Sequence, residues 1–131
     1  MDTKQEYVLG IALSADRSKI LLIHKINPEW QRGLLNAIGG KIEAGETPMQ
    51  AMIREFTEET GISTISDKWT SLGIIEGDVF KVYVFCSFDD FIYQAKTVEK
   101  EVVEIFDVDI EMLESCGVDN LYKLVELAIN L

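Results

Sequence analysis

A chain of 131 residues is the common size of one domain, and hydrophobic residues at 47% suffice for a single core without disulfides or structural metal. The net charge of -11 argues against polymeric nucleic acid as a partner, because such binding rests on a basic surface. No stretch approaches the roughly 20 apolar residues of a membrane span, and no basic start with a long apolar run marks a targeting signal, so a cytoplasmic protein with no membrane partner is expected.

In chain order, Tyr7 to Leu13 reads as a strand, Asp16-Arg17-Ser18 as a turn and Ile20 to Ile23 as the hairpin partner. His24, late in that partner, reads as structural. Residues 27 to 33 form a loop holding Pro28 and Trp30, and Leu34 to Ile38 is a short apolar piece running into Gly39-Gly40. The clearest helix spans Pro48 to Thr60. Thr47 is its N-cap, Pro48 suits the first helical position, and Gln50 completes a capping box. Gly61 is placed to end it in a left-handed conformation. Strands are predicted at Trp69 to Ile75, Val79 to Phe88 and Val102 to Phe106, with Phe80, Tyr83 and Phe85 read as alternating with period two and so as core or sheet packing. Leu121, Leu124, Val125 and Ala128 recur at helical spacing in a closing helix from Asn120 to Ile129. Strands mixed with two helices predict a layered α/β (α+β) domain. Cys86 and Cys116 have no CxxC spacing, make at most one bridge, and are read as reduced thiols.

Two stripes run along the Pro48 to Thr60 helix. Met49, Met52, Ile53 and Phe56 make an apolar face, and Glu55, Glu58 and Glu59 cluster on another, with stripe centres roughly 120° apart. One side can bury against a sheet while the other aims three carboxylates at a common spot. Like charges four residues apart destabilise a helix by a few tenths of a kcal/mol unless something positive sits between them. A hard divalent cation is one answer, since magnesium takes carboxylates, water and substrate phosphate. Such an ion also reconciles an acidic chain with a phosphate substrate. A solvated acidic face, relieved by Arg54 pairing with Glu58, is the other answer.

The flanking residues discriminate. From Gly40, five residues lead to Glu46 and seven more to Arg54-Glu55, followed by Phe56, Thr57, Glu58-Glu59, Thr60, Gly61 and Ile62. This resembles the Nudix box, G-x5-E-x7-R-E-U-x-E-E-x-G-U with U a bulky apolar residue, and every fixed position is filled. The one soft departure is Phe56, where the family usually has an aliphatic residue.

The resemblance implies a Nudix-type α/β/α sandwich over residues 1–131, with a mixed central sheet and a loop-helix-loop that binds magnesium or manganese. It implies Glu58 and Glu59 as principal metal ligands, Glu55 as a further ligand or base, and the Gly39 carbonyl as a backbone ligand. Arg54 would orient the box glutamates and Glu46 would support them. The implied reaction is attack of a metal-activated water on a diphosphate phosphorus. In some members a glutamate far from the box helps as base; the candidates are Glu99 and Glu101, with Glu104 ranked behind them. Their alternative is ordinary exposed charge.

Substrate contacts are read at four places. Lys41 would meet phosphate as a flexible point charge or stand as a surface lysine. Asn36, in a segment resembling that of nucleoside-triphosphate-cleaning members, would read a base edge or satisfy local backbone. Trp30 would stack on a base or cover the core edge, and Glu46 lies alongside. Around Gly77 to Phe80 there is neither the proline typical of ADP-ribose hydrolases nor the tyrosine of dinucleoside polyphosphate hydrolases, and the NADH-type motif is missing. The expected small-molecule substrate is therefore a (d)NTP or an oxidised or noncanonical purine triphosphate, giving a monophosphate and pyrophosphate. ADP-ribose, a dinucleotide or another nucleoside diphosphate derivative is the alternative. A non-catalytic Nudix-fold sensor or interaction module is the reading from another class, and it sits badly with an intact set of box carboxylates. Monomer and homodimer both stay open.

Overall fold

The computed structural model describes residues 4–131. Seven strands form one mixed sheet: β1 (Gln5–Leu13), β2 (Lys19–His24), β3 (Leu35–Asn36), β4 (Ile38–Lys41), β5 (Thr70–Glu76), β6 (Phe80–Phe88) and β7 (Val103–Asp107). Three helices accompany it: α1 (Pro48–Thr60), α2 (Ile110–Cys116) and α3 (Leu121–Ile129). Among the described residues no helix is long and apolar enough to cross a membrane.

β1 organises the sheet. One edge runs parallel to β6 along its whole length, from Gln5 against Phe80 to Leu13 against Phe88. The other edge is divided between two strands. Tyr7 to Gly10 pair with β4, whereas Ala12 and Leu13 pair with β2. The sheet therefore forks about Ile11, and the fork opens the space in which charged groups gather. β7 lies on the far edge of β2, and β5 lies outside β6 as the other margin.

Strand alternation sends side chains to two cores. Ile11, Leu13, Ile20, Leu22, Val84 and Cys86 pack under Leu113, Leu121, Val125 and Ala128 of α2 and α3. Val8, Ala12, Leu21, Ile23 and Phe85 pack under Ala51, Met52 and Phe56 of α1. Phe56 is fully buried and meets Trp69 and Phe91 edge-on at ring distances of 5.1 and 5.7 Å. That is the three-layer arrangement the resemblance implies. The α1 termini also form as expected, with Thr47 and Gln50 in a reciprocal capping box and Gly61 at φ 77.

Two expectations need correction. A third helix, α2, exists where none was expected; Asp109 caps it, but over seven residues it fully buries only Leu113, too little for a periodic signal. Phe80 does not share a face with Tyr83 and Phe85, because an odd separation puts it on the opposite side, 38% exposed. Phe85 is buried and Tyr83 partly so, as sheet packing requires. His24 sits at the end of β2 with Nε2 2.8 Å from Glu104 Oε1, half-exposed beside Phe106. Cys86 is a buried free thiol and Cys116 an exposed one.

Candidate active site

The position of α1 over the fork depends on two glycines. A Cβ at Gly10 would stand 2.7 Å from Met52 Cε and 3.0 Å from the Trp69 ring, so only a bare backbone lets the apolar stripe settle this close. With that stripe seated, the neighbouring stripe faces β4. There a Cβ at Gly40 would lie 2.5 Å from the carboxyl carbon of Glu55. The carboxylate fills the volume a side chain at position 40 would take.

Arg54 binds the acidic residues on one flank. Its Nε donates to Glu46 Oε2 at 2.7 Å and its Nη2 to Glu46 Oε1 at 3.0 Å, a fork-to-fork pair. Nη1 donates to Glu55 Oε1 at 2.8 Å and to Glu58 Oε2 at 3.1 Å, and Nη2 reaches the Lys41 carbonyl at 2.9 Å. The guanidinium beside Glu46 holds that carboxyl below the usual carboxylate range. Arg54 thus ties together the loop, the helix and the end of β4.

Beside this network lies a cleft of about 460 Å³, walled by Gly39, Gly40, Glu55 and Glu59 on one side and by Lys25, Asn27, Glu99, Lys100 and Glu101 on the other. Glu59 reaches in from α1. Its Oε2 is buried and has no hydrogen-bond partner. Burial first, and then the nearby charge of Glu55, push its carboxyl up to about 8. Burial is also the main cause of the upward shift at Glu55, opposed by Arg54. An orphaned, desolvated carboxylate oxygen beside a second carboxylate costs free energy until a cation meets it. The donor set is all oxygen, the chemistry a magnesium or manganese ion takes. The residues present fit such an ion.

The remaining predicted residues divide into those inside the cleft and those outside. Glu55, Glu59, Gly39, Glu99 and Glu101 all line it. Glu58 does not; its side chain is 47% exposed and paired with Arg54. Among the described residues no three acidic, histidine or cysteine side chains converge closely enough to hold an ion together. Glu58 is satisfied locally by its i, i+4 ion pair with Arg54, and Glu55 and Glu59 are the carboxylates of α1 that line the cleft. Lys41 is exposed outside the cleft wall and contributes its carbonyl to Arg54. Asn36 uses Oδ1 to accept from the Ala37 N–H at 2.8 Å, the local-backbone alternative. Trp30 projects from its loop at 69% exposure. Glu104 is taken by His24.

Lys25, Asn27 and Lys100 were not singled out from sequence. The available signal was faint: Lys25 directly follows a predicted strand in a chain with few basic residues, and Lys100 lies between two candidate glutamates.

The chain is 27% identical over 115 residues to the ADP-ribose pyrophosphatase of Bacillus subtilis (strain 168), covering 82% of this chain and 60% of that protein. It is 37% identical over 60 residues to the 8-oxo-dGTP diphosphatase of Escherichia coli (strain K12), covering 46% of each. The chain therefore spans less than two thirds of either curated relative. A MutT structure from work on Aliivibrio salmonicida and Vibrio cholerae superposes with a TM-score of 0.78 at 23% identity, over 98% of this chain and 100% of the other. The NUDIX domain of Shewanella oneidensis NrtR, complexed with ADP ribose, gives 0.77 at 17% identity, over 99% of this chain and 89% of the other. At such identities these structures speak for the fold alone. The NUDIX domain family model matches residues 4–128, and on that match across almost the entire chain, the protein belongs to the NUDIX domain family.

Proposed function

We propose that this chain is a hydrolase that splits a diphosphate linkage in a nucleoside diphosphate derivative, with magnesium, or manganese in its place, held by Glu55, Glu59 and the Gly39 carbonyl. The observation that carries the reading is the buried, partnerless oxygen of Glu59 beside Glu55 in a cleft floored by two glycines. A bound divalent ion supplies neutralisation of phosphate charge and acidification of water. The chain's own groups do the rest. Arg54 fixes the Glu55 carboxylate, and Glu46 fixes Arg54. Lys25 and Lys100 offset phosphate charge inside an acidic cleft. Glu99 lines the cleft with no hydrogen-bond partner among the described residues, so its carboxylate is available to take a proton from water. Glu58 acts from outside, through Arg54.

The substrate we favour is a nucleoside triphosphate, with oxidised or noncanonical purines included, cleaved to a monophosphate and pyrophosphate. The likeness to the 8-oxo-dGTP diphosphatase at 37% identity supports it. ADP-ribose is the second reading, because the likeness to the ADP-ribose pyrophosphatase extends over more of the chain. Release of pyrophosphate, phosphate or two nucleotide fragments, followed with magnesium across (d)NTPs, oxidised purine triphosphates, ADP-ribose, NADH and diadenosine polyphosphates, separates them. Absence of cleavage of any of these with either metal would refute the hydrolase reading.

A further inference from the structure

The two glutamates that precede β7 stand in opposite circumstances. Glu99 presents its carboxylate to the cleft without a partner, whereas every oxygen of Glu101 is occupied. Its Oε1 accepts from Lys25 Nζ at 2.9 Å, and its Oε2 accepts from the backbone N–H groups of Ile26 at 2.6 Å and Asn27 at 3.0 Å. Both Glu101 and Lys25 side chains are only 16% exposed.

This arrangement continues the sheet by other means. The β2–β7 ladder runs from Lys19 against Asp107 to Ile23 against Val103, and His24 N–H still finds the Val102 carbonyl at 2.8 Å. Beyond it, the next backbone donors not used within the loop's own neck are those of Ile26 and Asn27, and the Glu101 carboxylate takes both. Lys25 closes that neck, donating its N–H to Leu34 and accepting from the Gly33 N–H. A lysine ammonium has three donors. One is committed to Glu101, and the side chain lines the cleft next to Glu59.

We propose that Glu101 is a positioning residue, not the base: it pins the neck of the 26–34 loop and steers the Lys25 ammonium into the cleft, so that the phosphate end of the substrate meets a cation held in place. The proposal rests on the hydrolase reading for its substrate, but the clamp itself is independent of any activity. A carboxylate with both oxygens engaged by strong donors is a poor proton acceptor, and a buried lysine without its partner swings or retreats.

The test compares wild type, Glu101→Gln, Glu101→Ala, Lys25→Ala and the Glu101→Gln/Lys25→Ala double variant. Gln keeps one oxygen for the two amides but cannot hold the ammonium; Ala loses both. In 15N-labelled protein, amide exchange at Ile26 and Asn27 should accelerate in Glu101→Ala and stay slower in Glu101→Gln. With the nucleotide best cleaved in the magnesium screen, Glu101→Gln should raise KM about tenfold while most of kcat and the acidic limb of its pH profile persist. The double variant should be no worse than Lys25→Ala alone. A kcat loss of about a hundredfold at constant KM, with the acidic limb gone, would make Glu101 the base and overturn the proposal. Unaltered exchange at both amides would overturn it equally. If wild type cleaves nothing, the hydrolase reading falls, and amide exchange together with magnesium pyrophosphate binding to wild type and Glu101→Gln still decides the clamp.

Discussion

Two charge networks flank the cleft, and they are inversions of each other. On the α1 side a single cation, Arg54, serves Glu46, Glu55 and Glu58; on the loop side a single carboxylate, Glu101, serves Lys25 and two backbone amides. Each network withdraws charge from the cleft. Arg54 takes Glu58 out, and Glu101 holds one donor of Lys25. What remains facing inward is Glu59 with an orphaned oxygen, Glu55 and the unpartnered Glu99. The lesson is that a charged residue's neighbours, more than its type or spacing, decide whether it is free for chemistry.

The comparison is broken most severely at Glu59. Glu59→Gln should lower kcat roughly a thousandfold with the fold preserved by circular dichroism, since no other side chain replaces that buried oxygen. Retained turnover would remove the ion from this place. Next comes Gly40→Ala, whose new methyl must displace the Glu55 carboxylate. Because the displaced atoms are the end of a flexible side chain, unfolding free energy should change by under about 1 kcal/mol while turnover falls about a hundredfold. Equal losses in stability and turnover would mean the glycine serves the fold alone.

Arg54→Ala tests the first network directly. It leaves Glu46 and Glu55, partly buried, without their cation, and should cost about 2 kcal/mol in urea unfolding once partial exposure is allowed for. Arg54→Lys should recover only part, since a point charge cannot reproduce the two-pronged pair with Glu46. The smallest effect is expected at Glu58. Glu58→Gln should reduce kcat only about fivefold, as an exposed ion pair contributes about 1 kcal/mol or less. If it matched Glu59→Gln, Glu58 would have to leave Arg54 and enter the cleft during turnover.

Much of α1 was readable from sequence because its determinants are local: Thr47, Pro48, Gln50 and Gly61 act within a turn or two, and the apolar stripe repeats four times. Strands β1, β2, β5, β6 and β7 were readable to within two residues for the same reason, whereas the short β3 and β4 showed only as an apolar piece running into two glycines. For Glu58 a helical wheel gives the angle of the side chain but not its partner, and Arg54 competes for it. Glu99 and Glu101 could not be told apart because what separates them is the backbone of residues 26 and 27, brought across from a loop over seventy positions earlier. Phe80 was misassigned by simple parity, and α2 was too short to show a period.

The forked strand β1 has a consequence for how the polypeptide is made. Among the described strands its full-length companion is β6, which emerges from the ribosome long after it, and closing so distant a pairing carries an entropic cost before it yields any contact. Until Phe88 is available, the hairpin with β2 and the short ladder with β4 leave the other margin of β1 bare, an open template for mispairing. Synthesis halted before that point should therefore give an insoluble or chaperone-bound fragment, whatever the state of the Pro48–Thr60 segment it already contains.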